Sequence, residues 1–233
     1  MSNNETFALD GDTPTPTPAQ SVAFTPGTLD LRLADCMDVM REFPDGHFDL
    51  AIVDPPYGLI GLMQSGGAQK EFMAELSNWD QPPSAQWFNE LRRVSNEQIV
   101  WGGNYFGYLP GSRCWLAWDK CQIFSGADFE LAWTSLNQCA RIFRYSRGEA
   151  SNDKRATGLI HPTQKPVPLY DWLLTNYATP GMRILDTHLG SGSHAIACHY
   201  AGMHLTACEI DPDYFAAASE RIERETSQAS FNL

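Results

Sequence analysis

A chain of 233 residues with 43% hydrophobic, 12% aromatic and 19% charged residues has the composition of a folded globular protein, and it leaves little room for two full domains. No stretch approaches the ~20 consecutive apolar residues of a membrane span, and the N-terminus lacks the basic start and apolar run of a secretion signal, so a cytoplasmic protein with no membrane partner is expected. Sixteen basic against 28 acidic residues give a formal charge of −12, which taken alone argues against a phosphate-rich partner.

In chain order, residues 1–24 carry Thr13-Pro14, Thr15-Pro16 and Thr17-Pro18 among polar residues, with too little apolar surface to offset ordering, and are expected to be a disordered tail. Residues 25–233 then read as one domain. Apolar runs predict strands over 29–34, 48–53, 97–102, 113–118, 129–134, 139–144, 182–186 and 204–209. Amphipathic spacing predicts helices over 36–43, 84–95, 166–178, 192–202 and 212–226. This alternation predicts an α/β, doubly wound, mostly parallel sheet, with the later tryptophan-rich strands antiparallel. Ligands in such sheets collect at the carboxyl ends of strands where strand order reverses. The six cysteines are dispersed without a CxxC pair, so reduced, mostly buried thiols are expected and no metal. His194 and His199 lack the spacing of a zinc helix motif.

The charge is unevenly spread. Between residues 141 and 165 stand Arg141, Arg144, Arg147, Lys154, Arg155 and Lys165 against Glu149 and Asp153, a local +4 that leaves −16 for the rest. A basic strip on an acidic body can hold nucleic acid.

After the strand ending at Leu185 come Asp186, Thr187, His188, Leu189, Gly190, Ser191, Gly192 and Ser193, opening a helix. Gly190 and Gly192 allow a tight turn, and a helix N-terminus offers amides to a ligand. Glu209, nineteen residues past Gly190 at the end of the next strand, is placed to take ribose hydroxyls. Together they point to a nucleoside-containing cofactor. The run Gly190 to Ala195 also fits the dinucleotide fingerprint GxGxxA of NAD enzymes. Fewer than 50 residues follow Gly190, however, so earlier strands must complete the sheet.

The strand over 48–53 runs into Asp54-Pro55-Pro56-Tyr57. Residues before proline avoid the helical region, so the carboxylate and the aromatic ring are presented rigidly at the sheet edge. A carboxylate and a main-chain carbonyl side by side can accept both hydrogens of an exocyclic amine while the ring stacks on the base.

These residues resemble the beta-class DNA amino-methyltransferases, which use S-adenosyl-L-methionine and carry a DPPY motif. The resemblance covers about residues 29–226 and rests on Ala34-Asp35-Cys36, on Asp54 to Tyr57, on His161-Pro162-Thr163-Gln164-Lys165-Pro166, and on Asp186 to Ser193 with Glu209-Ile210-Asp211, in the family's order. The wording, with Trp101 to Tyr105 and Trp118-Asp119-Lys120, is similar to small phage and prophage adenine methyltransferases. It implies a Rossmann-like methyltransferase sheet, circularly permuted so that catalytic strands (29–140) precede the cofactor-binding part (161–226), with a compact DNA-recognition segment over about 141–160 between them.

By the resemblance, Asp54, Pro55, Pro56 and Tyr57 are catalytic. Asp35 binds the cofactor adenine, the turn Gly190, Ser191, Gly192 and Ser193 its methionine and sugar side, and Glu209 its ribose, with Cys36, His188, Leu189 and Ile210 among the further cofactor-binding residues. Thr163 and Lys165 contact or frame the methionine end, and Asp54 adjoins it. The family's commonest cofactor motif reads DPFxGxG; here Thr187 and His188 replace the proline and the aromatic, so His188 takes a packing position near the cofactor. The implied reaction is methyl transfer to adenine N6 in duplex DNA, with the base flipped out onto Tyr57. Gly58, Gly61, Gly66 and Gly67, up to Lys70, read as a mobile loop that closes over it. Arg141, Arg144, Arg147, Lys154 and Arg155 would contact DNA. A homodimer would suit a palindromic site. Cytosine N4 offers the same amine geometry, and an RNA or protein methyltransferase, or an inactive binding protein, are the further alternatives.

Overall fold

The computed structural model describes residues 27–59, 80–121, 127–146, 148–149, 160 and 163–227. The expected tail over 1–24, the glycine loop from Gly61 to Lys70, the basic residues Arg147, Lys154 and Arg155, and His161-Pro162 lie outside them.

The described chain is an α/β fold around one mixed eight-stranded sheet. Its strands are β1 (Leu29–Leu33), β2 (Phe48–Val53), β3 (Ser95–Trp101), β4 (Leu116–Asp119), β5 (Phe129–Thr134), β6 (Arg141–Arg144), β7 (Arg183–Asp186) and β8 (His204–Glu209). The helices are α1 (Cys36–Arg41), α2 (Ala85–Val94), α3 (Val167–Tyr177), α4 (Ser193–Ala201) and α5 (Pro212–Ser227). Strand order across the sheet is β1-β8-β7-β2-β3-β5-β4-β6. Of the tryptophan-rich strands only β5 is reversed. It pairs antiparallel with both β3 and β4, while β4 and β6 are parallel to each other.

β2 shows why the sheet is covered on both faces. From Leu50 on its side chains alternate between two cores, Leu50 and Ile52 packing with α3, α4 and α5, and Ala51 and Val53 packing with α1 and α2, a core that Phe48 at the start of the strand also joins. A two-residue period with apolar residues at both phases leaves no face for water. Burying each large side chain contributes roughly 1.5–3 kcal/mol.

Local signals set the helix ends. Ser84 accepts the Trp87 amide at 3.3 Å to cap α2, and Asp35 accepts the Met37 amide at 2.7 Å to cap α1. Helix α1 ends at Arg41 rather than 43, because Pro44 disfavours helical geometry at Phe43. Gly192 before α4 and Gly202 after it both take left-handed backbone.

The chain moves outward from β2 to β3 on one side and from β7 to β8 on the other, so strand order reverses between the neighbours β2 and β7. Their register pairs Leu50 with Ile184 and Ala51 with Leu185. The carboxyl ends carrying Asp54 and Asp186 therefore open into one crevice, as expected of a doubly wound sheet.

Candidate active site

Asp54 follows β2, and Tyr57 folds back so that its hydroxyl donates to Asp54 Oδ1 at 2.7 Å. The turn is anchored beyond it, where the Gly58 amide donates to buried Asp80 at 2.9 Å. The Tyr57 ring lies between Tyr105, stacked at 5.4 Å and 28°, and the edge of Phe106 at 6.2 Å. Gly102, at φ 68°, presses its backbone against the same ring.

Asp54 Oδ2 accepts a bond from the Lys165 ammonium. Lys165 precedes α3, and its side chain is 3% exposed. It also reaches the Tyr57 hydroxyl at 3.2 Å and Glu130 Oε2 on β5 at 3.2 Å. Glu130 Oε1 in turn receives Lys120, just past β4, at 2.6 Å. Burial alone would raise the Glu130 carboxyl, but the ammonium groups of Lys165 and Lys120 overcome it and hold the group down at about 2. Burial lifts Asp54 above the ordinary carboxylate value against the pull of Lys165. Lys165 is disfavoured as a cation by burial, yet Asp54 and Glu130 together raise it. A cavity of about 290 Å³ opens beside this cluster, lined by Tyr57, Gly102, Asn104, Tyr105, Ala127, Asp128, Phe129, Glu130 and Leu131.

Across the β2–β7 boundary lies the glycine turn. Asp186 Oδ1 accepts the His188 amide at 3.0 Å, and Oδ2 lies 2.9 Å from Nδ1 of His194, whose ring stacks on Tyr170 at 4.7 Å. Burial opposes a charge on His194, but Cys198 and Asp186 beside it push the imidazole up to about 10. Glu209 gathers three amides, Gly190 at 3.0 Å on one oxygen and Ile210 and Asp211 at 3.0 and 3.1 Å on the other. Arg221 of α5 is buried beneath the turn and donates to the Ser191 carbonyl at 2.8 Å and the Ser193 hydroxyl at 3.0 Å. At Gly192, φ 77°, a Cβ would stand 2.8 Å from Ile222.

The Ala34 amide donates to the Glu209 carbonyl at 2.9 Å, bringing Asp35 and Cys36 to the same end of the sheet. Asp35 is exposed there, and Ile210 is 69% exposed. Burial and the neighbouring Asp35 push the Cys36 thiol up to about 11. His188 packs 5.9 Å from the Trp87 ring, and burial draws it down to about 4. Leu189 is buried and Thr163 exposed.

The structure thus brings Asp54, Tyr57 and Lys165 into one cluster, and Asp35, Gly190 and Glu209 to one end of the sheet. Lys165, expected at a cofactor's methionine end, has its ammonium on Asp54, Tyr57 and Glu130. Arg141 and Arg144 stand exposed on the edge strand β6, and Arg144 pairs with Asp119 at 3.2 Å. All six cysteines are free; Cys114, Cys198 and Cys208 are buried, whereas Cys121 and Cys139 are exposed. Among the described residues no group of three or more His, Cys, Asp or Glu could hold a metal, and no helix is long and apolar enough to cross a membrane.

Sequence reasoning missed Glu130 and Arg221, named Lys120 only within Trp118-Asp119-Lys120 without a role, and weighed His194 only as a metal ligand. A charged residue beside tryptophans in a predicted strand was the available signal for Glu130, since alternation alone assigns it to solvent.

A family model described as a DNA methylase (N6_N4_Mtase) matches residues 134–220. YubD of Escherichia coli (strain K12) is 26% identical over 218 residues, which are 85% of this chain and 93% of that protein. Type II methyltransferase M2.DpnII of Streptococcus pneumoniae is 22% identical over 239 residues, covering 82% of this chain and 88% of that one. Among solved structures, the M1.HpyAVI–SAM complex matches with a TM-score of 0.54 at 16% identity, covering 84% of this chain and 99% of that chain. PvuII DNA methyltransferase (cytosine-N4-specific) matches with a TM-score of 0.56 at 14% identity, covering 87% and 92%. These two likenesses are ones of fold, and the fold they share with this chain is the α/β sheet expected from the sequence.

Proposed function

We propose that this chain is a DNA methyltransferase that uses S-adenosylmethionine and methylates adenine N6 in duplex DNA. One observation carries the reading: Asp54-Pro55-Pro56-Tyr57 and the Gly190–Gly192 turn with Glu209 leave neighbouring strands at the reversal point of the sheet. The DNA methylase match over 134–220, the methyltransferase relative and the neighbour solved with SAM support the same chemistry.

The turn suits the cofactor. Gly192 takes left-handed backbone that a side chain would strain, the N-terminus of α4 has no side-chain cap, and Glu209, after accepting three amides, keeps one lone pair for a ribose hydroxyl, on the oxygen that holds only Gly190. Glu209 would hold the ribose, Asp35 and Ile210 the adenine, and the turn and Asp186 the methionine side. The cofactor supplies a methyl group activated on a sulfonium.

The protein's contribution is alignment. Each oxygen of Asp54 accepts one bond within the cluster and keeps a lone pair. Asp54 and the Pro55 carbonyl would accept the two hydrogens of the exocyclic amine, drawing nitrogen toward tetrahedral geometry with its lone pair facing the methyl. The surplus proton would leave the nitrogen along the hydrogen bond to the Asp54 carboxylate, since a main-chain carbonyl is too weak a base to hold it. The base must leave the duplex at a cost of a few kcal/mol, and stacking on Tyr57 returns about 1–3 kcal/mol. The cavity against Tyr57 is where it would enter. Arg141 and Arg144, with Arg147, Lys154 and Arg155, would carry phosphate and base contacts.

Cytosine N4 is the second reading, favoured by the PvuII neighbour and by the identical amine geometry. Transfer from labelled S-adenosylmethionine to unmethylated DNA, followed by digestion to nucleosides, separates the two. N6-methyladenine supports the proposal and N4-methylcytosine replaces it with the second reading. Unlabelled DNA from folded protein overturns both.

A further inference from the structure

All three N–H bonds of the Lys165 ammonium are committed, to Asp54, to Glu130 at 3.2 Å and to the Tyr57 hydroxyl at 3.2 Å. Glu130 is held from its other side by Lys120 at 2.6 Å. Four side chains of alternating sign, Lys120, Glu130, Lys165 and Asp54, therefore run from the end of β4 to the end of β2. Trp101 and Tyr57 flank the buried ammonium at 5.4 and 5.6 Å. Two carboxylates sharing one buried region cannot both stay ionised without a cation between them. Lys165 is that cation.

We propose that Lys165 and Glu130 are positioning residues for the reacting carboxylate: Glu130 fixes the Lys165 ammonium, and Lys165 keeps Asp54 ionised and turned so that one lone pair on each oxygen faces the substrate amine. This deepens the methyl-transfer reading and rests on it for the role of Asp54. The two residues act in opposite senses. The positive charge of Lys165 favours the Asp54 carboxylate, and the negative charge of Glu130 disfavours it. The other groups facing this region are the Tyr57 hydroxyl, the buried Tyr170 of α3, and Asp186 with His194 behind Tyr170.

The test follows the Asp54 side-chain carboxyl by carbon-13 NMR across pH in the full unliganded chain, with Asp54→Asn identifying the signal. Glu130→Gln, which keeps the shape, should lower the midpoint by about one pH unit; Lys165→Met should raise it by at least about one; Lys165→Arg should stay near wild type. In single-turnover transfer the acid limb of the rate profile should move with each midpoint, while the KM for S-adenosylmethionine holds. A merely structural role would lower the amplitude and leave the limb in place. Midpoints that do not move in Glu130→Gln overturn the inference, and this variant decides should Lys165→Met not fold. A wild-type chain that transfers no methyl group overturns the functional reading instead, and the titration still decides this one.

Discussion

Gly102 packs directly against the ring of Tyr57: a Cβ at this position would stand 2.2 Å from Cε1 and 2.4 Å from Cδ1 of the ring. The backbone here is also left-handed, at φ 68°. Gly102→Ala must strain the backbone, by about 1–2 kcal/mol, and must also move a ring that donates a hydrogen bond to Asp54. A lowered thermal midpoint is expected together with a fall in transfer rate at saturating cofactor. A variant with wild-type stability and rate would show that the Tyr57 position is not held from this side.

Asp54→Ala removes the proposed acceptor for the substrate amine and leaves the glycine turn, Glu209 and Arg221 intact. Cofactor binding, measured by calorimetry, should persist, while transfer should drop by about 10²–10³-fold or more. Retained turnover would move the chemistry to another residue. Tyr57→Phe probes the same cluster more gently: the stacking face remains, the 2.7 Å bond to Asp54 is lost, and a smaller loss than for Tyr57→Ala is expected.

Much of the site was legible because its signals are local. Two prolines after an apolar strand announce Asp54 and Tyr57, and two glycines between a strand and a helix, with an acid one strand later, announce the proposed cofactor end. Lys165 was singled out from its motif, but its partners were not, because the bond to Asp54 joins residues 111 positions apart. Glu130 was invisible for a related reason. Alternation on β5 sets it against the large apolar side chains Phe129, Leu131 and Trp133, so it reads as solvent-facing, whereas in the fold Ala132 and Thr134 on its own face are buried and Lys165 and Lys120 approach it there. The reversal of β5 alone among the tryptophan-rich strands depends on strand pairing, which periodicity does not encode.

Arg221 is the clearest case of a residue of the candidate site without a sequence signature. It sits on α5, buried, with its guanidinium on the Ser191 carbonyl and the Ser193 hydroxyl. Arg221→Leu would leave those acceptors unsatisfied at a cost of about 1–3 kcal/mol and loosen the turn. The expected result is a lower urea midpoint and weaker cofactor binding, with the rate at saturating cofactor less affected. Equal binding in the variant would assign Arg221 to stability alone.

His188 makes the fold sensitive to acid. Burial holds its pKa near 4, below the ordinary value of 6.5, so the unfolded chain binds a proton that the folded chain refuses. Its contribution is complete above pH 6.5 and is lost as pH falls toward 4, by at most about 3 kcal/mol. His194 does not interfere in this window: its pKa is raised to about 10, so it is charged in both states below 6.5 and loses its contribution only as pH rises toward 10. Urea unfolding at pH 7 and pH 4.5, compared between wild type and His188→Phe, cancels the carboxylates common to both chains. The wild type should lose more stability than the variant between the two values, and parallel losses would mean that His188 exchanges protons freely with solvent in the folded state.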